Sequence, residues 1–165
     1  MGKGVVTALA VALSILILDQ ATKWWVLATF DPVSWPLRVT SYFNLTLVWN
    51  RGISFGLFGE GGEFGRWFLT ALALIIAGAL VIWLWRGVDL LTRYGIALVL
   101  GGAIGNAIDR VKYGAEVDFL DFHVAGFHWY TFNVADTGVV VGAITILAAS
   151  MLNERRQSTD AELKE

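Results

Sequence analysis

Apolar residues gather in four blocks, over about 5–28, 67–86, 94–112 and 133–152. Each approaches the roughly 20 residues a helix needs to cross a bilayer. The first block opens like a secretory signal, with Lys3 ahead of an apolar run at 5–18. That reading fails beyond Leu18. Asp19, Gln20 and Lys23 come next with no small-residue cleavage site, and Trp24, Trp25, Val26 and Leu27 resume the apolar run. A retained first span is expected, with its polar residues near one end and its tryptophans at headgroup depth.

Between the blocks the periodicity changes. From Trp35 to Asn50 it is two, with Phe43, Leu45, Leu47 and Trp49 on one side and Asn44, Thr46 and Asn50 on the other, which predicts strand. A polar-faced strand leaves backbone groups unsatisfied in hydrocarbon. A small sheet resting on the membrane surface is therefore predicted. Gly52 and Gly56 allow a tight turn after it, Phe55, Leu57 and Phe58 form a short apolar knob, and Gly59 to Glu63 a flexible loop. A connection of this length suggests a lid or binding loop. Gly87 to Thr92 is a short polar connector, Tyr113 to Thr131 a second long exposed loop, and 157–165 a disordered polar tail. The fold class is membrane and mainly α, in a single domain spanning 1–165.

Composition agrees. Of 165 residues, 56% are hydrophobic and 16% charged, where soluble domains carry about a quarter charged. A net charge of -2 offers no basic face for nucleic acid. There are no cysteines and two histidines, which excludes thiolate sites, a cysteine nucleophile and a histidine-rich metal centre. No cofactor or metal is expected. Lysines and arginines divide almost evenly between the two sides, so charge does not orient the chain.

What the topology does is collect polar residues at one surface. Asp19 and Lys23 share a helix face near the end of the first span. Gly101 and Gly105 have the spacing that lets membrane helices approach closely. Asn106, Asp109 and Arg110 come next, on one face near the end of the third span. Asn133, Asp136 and Thr137 open the fourth, where helix-dipole stabilisation alone would account for an acid. The second loop adds Glu116, Asp118 and Asp121. No nucleophile-elbow serine or His-Glu-x-x-His is present. The surplus is in aspartates, and two adjacent carboxyls sharing one proton supply an acid and a base for amide hydrolysis.

Asp19-Gln20-Ala21-Thr22-Lys23, Asn50 to Gly56, Gly101 to Arg110, Val117-Asp118-Phe119 and Phe132 to Asp136 together resemble the ordered motifs of bacterial lipoprotein signal peptidase, or signal peptidase II. The resemblance runs from Asp19 to Thr137. It implies an aspartyl endopeptidase of the inner membrane with four transmembrane helices, both termini cytoplasmic, a small periplasmic sheet, and extracytoplasmic segments at about 30–65 and 113–131. It implies cleavage just before the lipidated cysteine of a diacylglyceryl-prolipoprotein, by an Asp118 and Asp136 dyad with water as nucleophile. Supporting residues on the same match are Asp19, Lys23, Asn50, Gly52, Asn106, Asp109, Arg110 and Asn133, with Asp109 expected to position Arg110. Membrane lipid and globomycin-like peptide antibiotics are the other implied partners, and a monomer is expected. Asp121 is left to a loop-fixing role. Thr137 stands where serine is also familiar.

Two rival classes are a proton-coupled transporter or small channel, and a binding or chaperone-like membrane protein that uses its extended loop without chemistry. Acids near one end of the helices, and the lack of an inverted repeat, stand against the transporter.

Overall fold

A computed structural model describes residues 3–52 and 63–162. In chain order these form α1 (Lys3–Thr29), β1 (Leu37–Arg38), β2 (Phe43–Asn50), α2 (Glu63–Trp85), α3 (Leu90–Tyr113), β3 (Glu116–Val124), β4 (Phe127–His128) and α4 (Val134–Glu162). All four helices are long and apolar enough to span a membrane. Leu13, Ile17, Ile75, Ile82, Ile144 and Leu147 lie exposed on their outer faces, as lipid contact requires.

α3 is the central helix, packed against the other three. Of its apolar window 56% is buried, against no more than 22% in any other span. Lipid supplies no hydrophobic drive between helices, so close approach has to come from small residues. At Gly101 a Cβ would stand 2.5 Å from the Ala12 carbonyl oxygen of α1. At Gly105 it would stand 2.5 Å from Asp19 Oδ2, which places a charged group of α1 directly against the α3 backbone.

Two helix starts differ from the sequence reading. α2 begins at Glu63, whose carboxylate receives Trp67 Nε1 at 2.8 Å and Arg66 at 3.0 Å. α3 begins at Leu90, because Asp89 caps it by accepting from Leu91 N and Thr92 N, so residues read as connector are helix. At the other end Gly114, with φ +80°, closes α3 by donating its N–H to Arg110 O. α4 continues to Glu162 and takes in most of the stretch read as a disordered tail. Glu154, Arg155 and Arg156, which lead into it, are strong helix formers. The apolar knob at Phe55, Leu57 and Phe58, and the loop from Gly59 up to α2, lie outside the described residues.

The sheet is antiparallel in the order β1-β2-β3-β4. The expected second loop is instead largely β3, with residues 116–119 and 121 buried. β3 and β4 form a hairpin closed by Ala125 and Gly126, both at positive φ, the turn geometry that suits strand twist. β2 pairs with β3 through Asn50 opposite Glu116, Val48 opposite Asp118 and Asn44 opposite Asp121, with a bulge between Leu45 and Val48. The bulge shifts the alternation by one. Asn44 and Asn50, which simple alternation places on one side, therefore face opposite sides of the sheet. Finally, Phe132 exchanges backbone hydrogen bonds with Leu120, 2.8 Å in one direction and 3.1 Å in the other. That bridge pins the start of α4 beside β3.

Candidate active site

The site lies where α1, α3, α4, β2 and β3 meet. Its base is an ion cluster sealed from solvent. Lys23 Nζ lies 2.9 Å from Asp19 Oδ2 and 2.7 Å from Asp109 Oδ2, and donates to Asn106 Oδ1 at 3.0 Å. Lys23 is 2% exposed and both aspartates 0%. Buried charges persist only when paired and hydrogen-bonded. Here the remaining oxygens are met as well. Asp19 Oδ1 accepts Ala135 N at 2.9 Å, Asp109 Oδ2 accepts Val117 N at 3.2 Å, and Gln20 Nε2 donates to both carboxylates. The cluster thereby ties α1 and α3 to the first turn of α4 and to the start of β3.

Above it, Asn106 and Asn133 connect two further carboxylates. Asn106 Nδ2 donates to Asp136 Oδ1 at 2.8 Å. Asn133 Nδ2 donates to Asp118 Oδ1 at 2.7 Å, while Asn133 Oδ1 accepts Asp136 N and Asn133 N donates to Asp136 Oδ2 at 3.0 Å. This reciprocal pattern is a capping box, with Asn133 as cap and Asp136 three residues in. Helix capping therefore fixes Asp136 while leaving it only half-buried. On the other side Asn50 Nδ2 donates to Asp118 Oδ2 at 2.9 Å. Gly52 sets that amide: its N–H donates to Asn50 Oδ1 at 2.8 Å from a φ of +78°, so the Asn50 nitrogen faces the carboxylate.

Burial pushes the Asp118 carboxyl up to about 6. The nearby Asp136 charge adds to this, against hydrogen bonds from Asn50 and Asn133. Asp118 and Asn50 line a groove of about 480 Å³ together with Trp49, Arg51, Trp129 and Tyr130.

The structure brings Asp19, Lys23, Asn50, Gly52, Asn106, Asp109, Asp118, Asn133 and Asp136 into one network. It separates two expected partners. Asp109 faces Lys23 and Val117 N rather than Arg110, and the Arg110 guanidinium pairs with Glu116 instead. The two side chains point apart, one into the cluster and one toward the sheet. Asp121 lies on the opposite face of β3 from Asp118, accepting Asn44 Nδ2 at 2.9 Å and lying 2.8 Å from His128 Nδ1. Sequence reasoning missed Gln20 and Glu116 as members of this site. Glu116 carried a signal, since it has the same strand parity as Asp118.

A family model described as Signal peptidase (SPase) II matches residues 11–152 of this chain. The chain belongs to the signal peptidase II family. Among its relatives, the Lipoprotein signal peptidase of Methylobacterium sp. (strain 4-46) is 43% identical over 152 residues, covering 92% of each chain. That of Rhodopseudomonas palustris (strain TIE-1) is 46% identical over 83% of this chain and 87% of the relative. A bacterial membrane enzyme solved by the in meso method at 2.3 Å shares 31% identity, with a TM-score of 0.76 over 90% of this chain and 89% of that one. A second, at 1.9 Å, gives 0.77 over 87% and 91%. The four-helix fold with its small sheet is thus that of a multi-pass membrane peptidase of the signal peptidase II family.

Proposed function

We propose that this peptidase removes the signal peptide from diacylglyceryl-modified prolipoproteins by cleaving just before the lipidated cysteine, with Asp118 and Asp136 as an acid–base dyad and water as nucleophile. The observation that carries the reading is the joint suspension of two carboxylates from Asn133, that of Asp118 through its side-chain amide and that of Asp136 through its backbone N–H, while its side-chain oxygen accepts the Asp136 backbone N–H. Each also receives a second amide, from Asn50 and Asn106 respectively. Neutral amide donors hold both carboxyls in place without neutralising either, which suits a pair that must share a proton.

Asp118, which burial pushes up to about 6, is assigned that proton. It is assigned to polarise the scissile carbonyl, while Asp136 takes a proton from the attacking water. The protonated Asp136 then supplies the leaving amine. Asn50, which donates to Asp118 at the edge of the groove, also meets the substrate backbone in this reading, and Asn106 and Asn133 complete the hold on the dyad. The substrate's acyl chains remain in lipid. In this reading the dyad lies near the periplasmic surface of the inner membrane, both termini are cytoplasmic, the enzyme works as a monomer, and globomycin-like peptides compete for the groove.

The test is incubation of the purified protein in detergent with a lipid-modified precursor, scored by the shortened product. Asp118→Asn and Asp136→Asn each keep the shape of the site and remove one member of the proton-sharing pair. Each is expected to lower turnover by about 10³-fold or more while abundance in membranes is unchanged. Wild-type turnover in either would remove the dyad from the mechanism.

A further inference from the structure

A third acid stands beside the dyad. Glu116 is 5% exposed and lies opposite Asn50 in the β2–β3 ladder. Its carboxylate receives the Arg110 guanidinium, and Asn50 Nδ2 lies 3.4 Å from Glu116 Oε2 as well as 2.9 Å from Asp118 Oδ2. One amide nitrogen therefore sits between two buried carboxyls of the same strand face. Arg110 is fixed from behind, because Arg66 of α2 donates to its carbonyl oxygen at 2.7 Å.

We propose that Glu116 is a positioning residue for the dyad: it anchors Arg110 and holds the Asn50 amide against Asp118, and its charge sets how far up the pH scale the dyad keeps its shared proton. This inference rests on the dyad reading above. The charged groups around Glu116 are Arg110 from α3, Asp118 on β3, Asp136 from α4 and Lys23 from α1, with the Asn50 amide from β2. Burial pushes the Glu116 carboxyl up to about 7. Arg110 opposes that rise, the Asp136 and Asp118 charges add to it, and Lys23 opposes it more weakly.

The Glu116 carboxyl, at about 7, titrates next to that of Asp118, at about 6, so Glu116 gains charge over the range in which the dyad loses its last proton, and that charge stretches the alkaline limb of activity upward. Glutamine keeps the length and an acceptor for Arg110 but never carries that charge, and it leaves Arg110 uncompensated. Both changes draw the limb to lower pH.

The experiment measures kcat and KM on the lipid-modified precursor from about pH 5 to 9 for wild type, Glu116→Gln, Glu116→Ala, Asp118→Asn and Asp136→Asn. Glu116→Gln is expected to move the alkaline limb of kcat/KM down by about 0.3 pH unit and to steepen it. Glu116→Ala is expected to lower kcat about tenfold with KM little changed, and the glutamine variant to recover most of that loss at its own optimum. An unmoved pH profile in Glu116→Gln, with or without lower thermal stability, overturns the proposal, because a purely structural ion pair gives that result. Failure of Glu116→Gln to accumulate in membranes counts the same way. Activity in the dyad variants would instead sink the dyad reading itself, so the two failures are distinct.

Discussion

Lys23→Met is the most searching perturbation of the site, because its size can be worked from the charges present. Lys23 is the cation that faces both the Asp19 and the Asp109 carboxyl in a volume that water does not reach, with contacts of 2.7 and 2.9 Å. Methionine nearly matches the volume of lysine but leaves two facing carboxylates without a cation. Removing one partner of a buried ion pair typically costs about 3–5 kcal/mol. At about 2–4 °C per kcal/mol for a chain of this size, that is a fall of roughly 10 °C in apparent melting temperature. Asp19→Asn is the control. It leaves a matched Lys23–Asp109 pair, keeps an oxygen for Ala135 N, and is expected to cost only about 1–2 kcal/mol. Tryptophan-fluorescence melting in detergent at one fixed scan rate compares the two, since unfolding in detergent is treated as a rate process. Lys23→Met should also be nearly inactive, because Lys23 orients the Asn106 amide whose other end faces Asp136. A lysine variant as stable as Asp19→Asn would refute the view that the cluster is held together by its single cation.

Neighbouring features can be probed in the same way. Gly105→Ala places a methyl 2.5 Å from Asp19 Oδ2, so it should lower stability by about 1–3 kcal/mol and reduce turnover, read by melting and precursor cleavage. Gly52→Ala forces a side chain to a φ of +78° and turns the Asn50 amide away, so kcat should fall more than abundance, measured by cleavage against immunoblot. Because Asp118 holds its proton up to about 6, kcat/KM should decline as pH rises above that value, where the dyad loses its shared proton; a rate still climbing well above it would reassign the acid. A chelator such as EDTA should leave cleavage unchanged, since the proposed chemistry needs only the two carboxyls; lost activity that zinc restored would point to a metallopeptidase.

The four spans were legible because bilayer thickness fixes their length and lipid demands uninterrupted apolar sequence. Helix starts were less so. Asp89 and Glu63 are polar residues that a hydropathy reading assigns to loops, yet they cap or open helices. β3 was read as loop because it is buried on both faces, and its parity of acids changes between Asp118 and Asp121. That same parity, taken seriously, separates Asp121 from the dyad and joins Glu116 to it. The partner of Arg110 was not legible from spacing. Adjacent residues on a helix point about 100° apart, so Asp109 and Arg110 serve different neighbours.

The Phe132–Leu120 bridge closes a loop on itself before the β3–β4 hairpin turns, so the hairpin tip at Ala125 and Gly126 hangs from the enzyme as a side branch. The dyad and its amide donors lie outside that branch, and Trp129 and Tyr130, which line the groove, lie on its return arm rather than at the tip. It is therefore the natural place to graft a reporter, such as an environment-sensitive dye or a short epitope. From there the depth and sidedness of the sheet relative to the lipid surface can be read in a working enzyme.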